Sequence, residues 1–144
     1  MKWYMGIDPG ITGGIAAISD TGLHIAQGMP ETAADIATCF EVYTEGDVTA
    51  YIERVSSSPQ MGVKSAFTFG HIYGMLRMAL VAYKIPYTEV APGVWQRVMG
   101  CLSKGDKNVT KNRAQQLFPK LRITHKTADA LLIAEFGRRK EVGL

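Results

Sequence analysis

Along residues 2–8 apolar and other positions alternate: Trp3, Met5 and Ile7 fall on one side, Tyr4, Gly6 and Asp8 on the other. That is the period of a strand. Gly13–Ser19 reads as a second strand, with Pro9–Gly14 as the turn between them. Asp20-Thr21-Gly22 is a further turn, leading to a third strand over Leu23–Gly28. Three short strands joined by tight turns predict an antiparallel meander. Then the period changes. Pro30–Tyr43 reads as a helix, and Val48–Glu53 as a strand with Thr49, Tyr51 and Glu53 on one face. After an irregular loop at 56–62 come a long helix, about Ser65–Tyr83, and a short strand, Pro86–Val90. Pro92–Met99 and a basic loop through Lys107 lead to helices near Thr110–Leu117 and His125–Lys140. A meander followed by strands alternating with helices predicts an α/β fold with a mixed five-stranded sheet. The chain has 144 residues and shows no repeat or linker, so it reads as one domain over 1–144.

Two of these strands end in an acid, Asp8 and Glu53. If the strands lie side by side and parallel, the two carboxylates meet at one end of the sheet. A third acid, Asp129, sits in TADALLIAEF on a stripe with Leu132, Ile133 and Phe136. A carboxylate on a core-facing stripe is costly unless it is paired or bound to a cation. Each acid alone has an ordinary role. Asp8 suits a turn, Glu53 a bridge to Arg54, and Asp129 a helix start, where the dipole favours it. Together, three acids at strand and helix ends suit hard divalent cations, which take oxygen ligands.

Charge is uneven. Residues 1–100 hold six Lys and Arg against nine Asp and Glu, and residues 101–144 hold ten against four. The basic third is either a polyanion-binding face or a solvated helix surface. Cys39 and Cys101 have no metal-ligand spacing and read as reduced thiols. Neither a signal peptide nor a membrane span is recognisable, so a cytoplasmic location is expected.

GIDPGITGG, YIERV, SPQMGVKSAFTFG, PGVW and HKTADALLIAEFGRR, in that order, resemble the RuvC-type Holliday-junction resolvases, and most of all their short bacteriophage branch. The likeness runs from Met5 to Arg139. It implies a ribonuclease H-like fold and a homodimer that cuts four-way DNA junctions with magnesium or manganese, in a bacterial host's cytoplasm if the chain is phage-encoded. It further implies that Asp8 bridges two ions, that Glu53 and Asp129 hold one each, and that products carry 5′-phosphate and 3′-hydroxyl ends. Gly10–Gly14 matches a turn kept small so that a phosphate backbone can approach.

Lys126 departs from this pattern, because the family usually carries Asp or His one helical turn before the last acid. Either Lys126 faces solvent or DNA and His125 serves as a ligand or supports one, or Lys126 pairs with Asp129 and competes with metal. Lys104, Lys107, Lys111, Arg113 and Lys126 are candidate phosphate contacts, and Gln60 and Met61 candidate junction contacts. Phe67 and Trp95 read as core residues. Gly70 and Gly74, with Met78 beyond, form a small-residue strip on the long helix. In the family that helix builds the dimer, whereas periodicity alone also allows packing on the protein's own sheet. Sugar kinases and actin-like ATPases share the opening hairpin but need two such domains, so no nucleotide cofactor is expected. A junction-binding protein crippled at Lys126 and a general branched-DNA endonuclease remain as alternatives.

Overall fold

The structure is a computed structural model and describes residues 1–144 except Thr44. Its elements are β1 (Lys2–Asp8), β2 (Gly14–Ser19), β3 (His24–Gly28), α1 (Ala33–Tyr43), β4 (Asp47–Glu53), α2 (Val63–Ala82), β5 (Tyr87–Val90), α3 (Pro92–Val98), α4 (Lys107–Leu117) and α5 (His125–Val142). The expected elements are present, with ends displaced by a few residues. α4 shows the displacement that matters. The basic loop was expected to reach Lys107, but the Asp106 side chain accepts from the Asn108 N–H and caps a helix that begins at Lys107.

The sheet is five-stranded, in the order β3-β2-β1-β4-β5. β1 pairs antiparallel with β2 and parallel with β4, and β4 runs parallel to β5. A parallel pair needs a crossover, which α1 and then α2 supply. The β1–β4 register sets Ile7 beside Ile52, so Asp8 and Glu53 follow at neighbouring positions on the same sheet end.

The sheet separates two apolar layers. Met5, Ile7, Ile15, Ala50 and Ile52 face Phe40 of α1 and Leu76 and Leu80 of α2. Tyr4, Ala16, Ile18 and Tyr51 face Trp95 of α3, Ala114 of α4 and the buried run Ala128–Ala134 of α5. Strand parity therefore turns Asp8 and Glu53 toward the α3–α5 side.

α5 begins with a capping box, in which Thr124 and Thr127 each accept from the other's backbone N–H. It ends at Gly143, whose φ of 78° is the left-handed C-cap that glycine supplies without strain. Its approach to the sheet depends on missing side chains. A Cβ on Gly6 would strike Ala130 O and Ala134 N, and one on Gly14 would strike Lys126 O. With Ala at 128, 130 and 134 as well, the helix lies directly on β1 and β2. Among the described residues, no helix is long and apolar enough to cross a membrane.

Candidate active site

Asp8 leaves the end of β1, Glu53 the end of β4, and Asp129 the second turn of α5. Asp8 and Asp129 are each 6 % exposed. Burial, then the charges of Glu53 and Asp129, push Asp8 well above the ordinary carboxylate range. Glu53 is also pushed up, chiefly by burial, with Asp129 adding to the rise. A hydrogen bond from Trp95 Nε1 to Glu53 Oε2, 2.8 Å long, opposes it. Asp8 thus senses both other acids, and Glu53 senses Asp129. The ordinary roles do not describe them: Glu53 takes its hydrogen bond from Trp95, and Thr124, not Asp129, caps α5. Asp129 Oδ1 is buried with no hydrogen-bond partner among the described residues.

The cation beside Asp129 is Lys107, with Nζ 3.7 Å from Oδ2. The expected alternative was a pair between Lys126 and Asp129; among the described residues Asp129 pairs with Lys107 and Lys126 makes no ion pair. The Lys126 stem lies over β3, where its Cδ would sit 3.1 Å from a Cβ on Gly28. His125 is exposed at the first position of α5. Among the described residues, no three His, Cys, Asp or Glu side chains gather closely enough to hold a metal ion as they stand. The acids converge on Lys107.

Two clefts meet there. The larger, about 560 Å³, is lined by Asp8, Pro9–Thr12, Glu53, Lys107, Met61 of the loop before α2, and the first turns of α2, including Lys64 and Phe69. The smaller, about 340 Å³, is lined by Glu53, Gln96, Ser103, Lys104, Lys107 and Asp129. Lys104 is exposed with φ 50°, in the left-handed region. Gln96 Oε1 accepts from the N–H and Oγ of Ser103, which ties this loop to α3. Lys111 is half-buried on α4. Arg113 Nε donates to Met99 O at 2.8 Å, so this guanidinium joins α4 to the end of α3. Gln60 is exposed in the turn before α2.

Two glycines of the turn have a packing reason to be small. A Cβ on Gly13 would strike Asp8 O, and Gly14 lies under α5, so both serve the protein's own packing. Gly10, at φ 118°, faces the Phe69 ring. Phe67 is not core, being 76 % exposed. Gly70 and Gly74 have no other part of the chain within 4 Å of a built Cβ, and Met78 is exposed. That strip faces outward, and packing on the protein's own sheet does not account for it.

Comparison with solved structures places this arrangement. RuvC of Thermus thermophilus in complex with a Holliday junction substrate superposes with a TM-score of 0.67 at 19 % identity, over 99 % of this chain and 97 % of that one. The chain has the RuvC fold. A second T. thermophilus RuvC structure gives a TM-score of 0.64 at 19 % identity, covering 98 % of this chain and 96 % of that one. The yeast mitochondrial Holliday junction resolvase gives 0.54 at 15 %, covering 96 % and 78 %. No protein-family model matches the chain, and no curated protein matches it. Within the RuvC fold, the sequence picked out the acids and missed two of their neighbours' roles. Trp95 carried no signal beyond a buried aromatic, although a buried indole N–H does call for an acceptor. Lys64, on the cleft wall, looked like any helix-surface lysine.

Proposed function

We propose that this chain is a metal-dependent, structure-selective endodeoxyribonuclease that resolves four-way DNA junctions by paired nicks, leaving 5′-phosphate and 3′-hydroxyl ends. The observation that carries this reading is the convergence of Asp8, Glu53 and Asp129 at one sheet end of a RuvC fold. The junction as substrate comes from the neighbour solved in complex with one.

The donor chemistry suits a hard divalent cation, which would draw the three carboxylates closer than they stand among the described residues. The donors are all carboxylate oxygens, one of them is a buried atom without a partner, and two are carboxyls whose ionised forms repel one another. Asp8, on which the charges of both Glu53 and Asp129 act, would hold both of two Mg²⁺ or Mn²⁺ ions, with Glu53 and Asp129 on one each. Such ions, when bound, polarise the phosphodiester and lower the pKa of water. The chain's own groups do the rest. Trp95 fixes the direction of one Glu53 oxygen. Gly10 and Thr12 line the floor of the larger cleft, and Met61 and Lys64 its wall. Lys104, Lys111 and Lys126 offer ammonium groups to phosphates of the arms, with Gln60 and Met61 toward the crossover.

One site cuts one strand, and a four-way junction has near two-fold symmetry, so paired nicks call for a two-fold dimer. Val63, Phe67, Gly70, Gly74, Met78 and Val81 recur at helical spacing and form an outward apolar stripe along α2. That stripe is the proposed contact.

The test is cleavage of an end-labelled four-way junction and of linear duplex, with Mg²⁺ or with chelator. Asp8→Asn, Glu53→Gln and Asp129→Asn should each abolish nicking and retain junction binding. Wild-type rates from Asp8→Asn protein would sink the reading. Tight junction binding without nicking at any metal concentration would leave a binding protein in its place.

A further inference from the structure

The acid cluster already contains a cation, and it stands where it divides the cluster. Asp8 lines only the larger cleft and Asp129 only the smaller, while Glu53 and Lys107 line both. The Lys107 side chain is the partition. Its ammonium reaches Asp129 Oδ2, and its charge also acts on Asp8 and Glu53. The backbone from which it springs is held at three points. Asp106 caps α4, Arg113 ties α4 to Met99, and Gln96 ties the preceding loop to α3. The Lys107 side chain is 61 % exposed although that of Asp129 is only 9 %, and at 3.7 Å the pair is at the long end of ion-pair contact, so the ammonium is free to leave.

We propose that Lys107 is the resident counter-ion of the acid cluster: it screens the three carboxylates when no metal is present, and it withdraws to a DNA phosphate when divalent ions enter. This rests on the nuclease reading above. Lysine suits the task because it is a compact charge on a flexible stem, able to swing without disturbing the helix that bears it. A divalent ion placed among the acids meets the ammonium as a like charge. Metal affinity of the free protein is therefore held down. DNA supplies another partner for the ammonium and lifts that restraint. Reciprocity then requires metal to tighten DNA binding by the same factor.

The experiment is Mn²⁺ binding to the DNA-free protein, followed by electron paramagnetic resonance of free Mn²⁺ and by calorimetry. Lys107→Met keeps the stem length and should tighten Mn²⁺ binding about tenfold, as loss of one unit charge near the ions implies. Lys107→Arg should restore weak binding, and Lys140→Met, at the far end of α5, should change little. Without metal, the Lys107→Met protein should melt below wild type, and Mn²⁺ should raise its melting temperature more. Calorimetry with Ca²⁺, with and without a four-way junction, should show tightening by the junction in wild type and much less in Lys107→Met. Saturable wild-type binding that Lys107→Met leaves equal or weaker overturns the counter-ion and leaves the nuclease reading standing. No saturable binding by wild type or by Lys107→Met, with or without the junction, overturns both.

Discussion

Trp95 donates its indole N–H to Glu53 Oε2 across 2.8 Å, from a position with no solvent exposure. Glu53 ends β4 and Trp95 is in the middle of α3, so this one bond fixes a strand-end carboxylate against a helix. Hydrogen bonds to charged groups are worth about 1.5–3 kcal/mol. Trp95→Phe deletes the donor and keeps most of the ring. It is expected to slow single-turnover junction nicking roughly ten- to a hundredfold, with junction affinity unchanged. A matching loss of affinity would show that the helix had moved instead.

Asp8 is held above its ordinary range by burial first, then by Glu53 and Asp129. A folded carboxyl with a raised pKa keeps a proton that the unfolded chain has released. Between the two values the folded state binds more protons, so stability falls as pH rises. The metal-free protein should therefore melt higher as pH is lowered from neutral toward the ordinary carboxylate range. Glu53 acts with the same sign. Asp8→Asn should melt above wild type at neutral pH and show a flatter profile. Scanning calorimetry in chelator checks this, and a wild-type profile that is already flat would contradict it.

Gly6 stands two residues before Asp8, where α5 crosses β1. A methyl group there meets backbone atoms of Ala130 and Ala134, which cannot rotate away. Overpacking against side chains costs about 1–3 kcal/mol, and a backbone obstacle belongs at or beyond the top of that range. Gly6→Ala should lower stability by about 3 kcal/mol or more in urea unfolding. It should also depress nicking in the folded fraction, because lifting α5 carries Asp129 away from Asp8.

Gly74→Leu separates a dimer surface from a packing surface. Within the protomer a Cβ at 74 meets nothing within 4 Å, so the fold should tolerate the change. Sedimentation should shift the protein toward monomer, and the two nicks should come apart, with nicked junction accumulating. A well-folded variant with the wild-type sedimentation coefficient would move the interface off α2.

The acids were legible because strand parity and helix spacing are local. Asp8 follows from the alternation of β1, Glu53 from that of β4, and Asp129 from an apolar stripe that a carboxylate interrupts. Their company was not. The Trp95–Glu53 bond spans 42 residues, and no period encodes it. Lys107 looked like a loop lysine because the capping power of Asp106 went unread. Phe67 was assigned to the core by residue type, but α2 is apolar on nearly every side and only Leu76 and Leu80 are fully buried. Periodicity cannot say which face of such a helix the sheet takes. The glycines at 6, 13 and 14 reflect contacts between elements distant in sequence, which only the folded chain displays.

Lys126 closes the comparison. The spacing of Lys126 and Asp129, i and i+3, suggests a shared face, and an ion pair there would oppose metal binding. The fold uses the position otherwise. The Lys126 carbonyl rests on Gly14, its stem crosses Gly28, and Asp129 receives Lys107 from another helix. Two lysines near one helix start therefore have different consequences. Lys126→Asp is expected to leave the Mg²⁺ concentration for half-maximal cleavage within about twofold of wild type, because its charge lies beyond contact range, where water screens it. If Lys126 touches a phosphate, the same change should weaken binding to all DNA sequences alike and flatten the log–log salt dependence by about one unit. Titrating metal at fixed junction, and salt at fixed metal, reads the two effects separately. A marked fall in the metal requirement of Lys126→Asp would return the competitor to Lys126 and remove the distinction drawn between the two lysines.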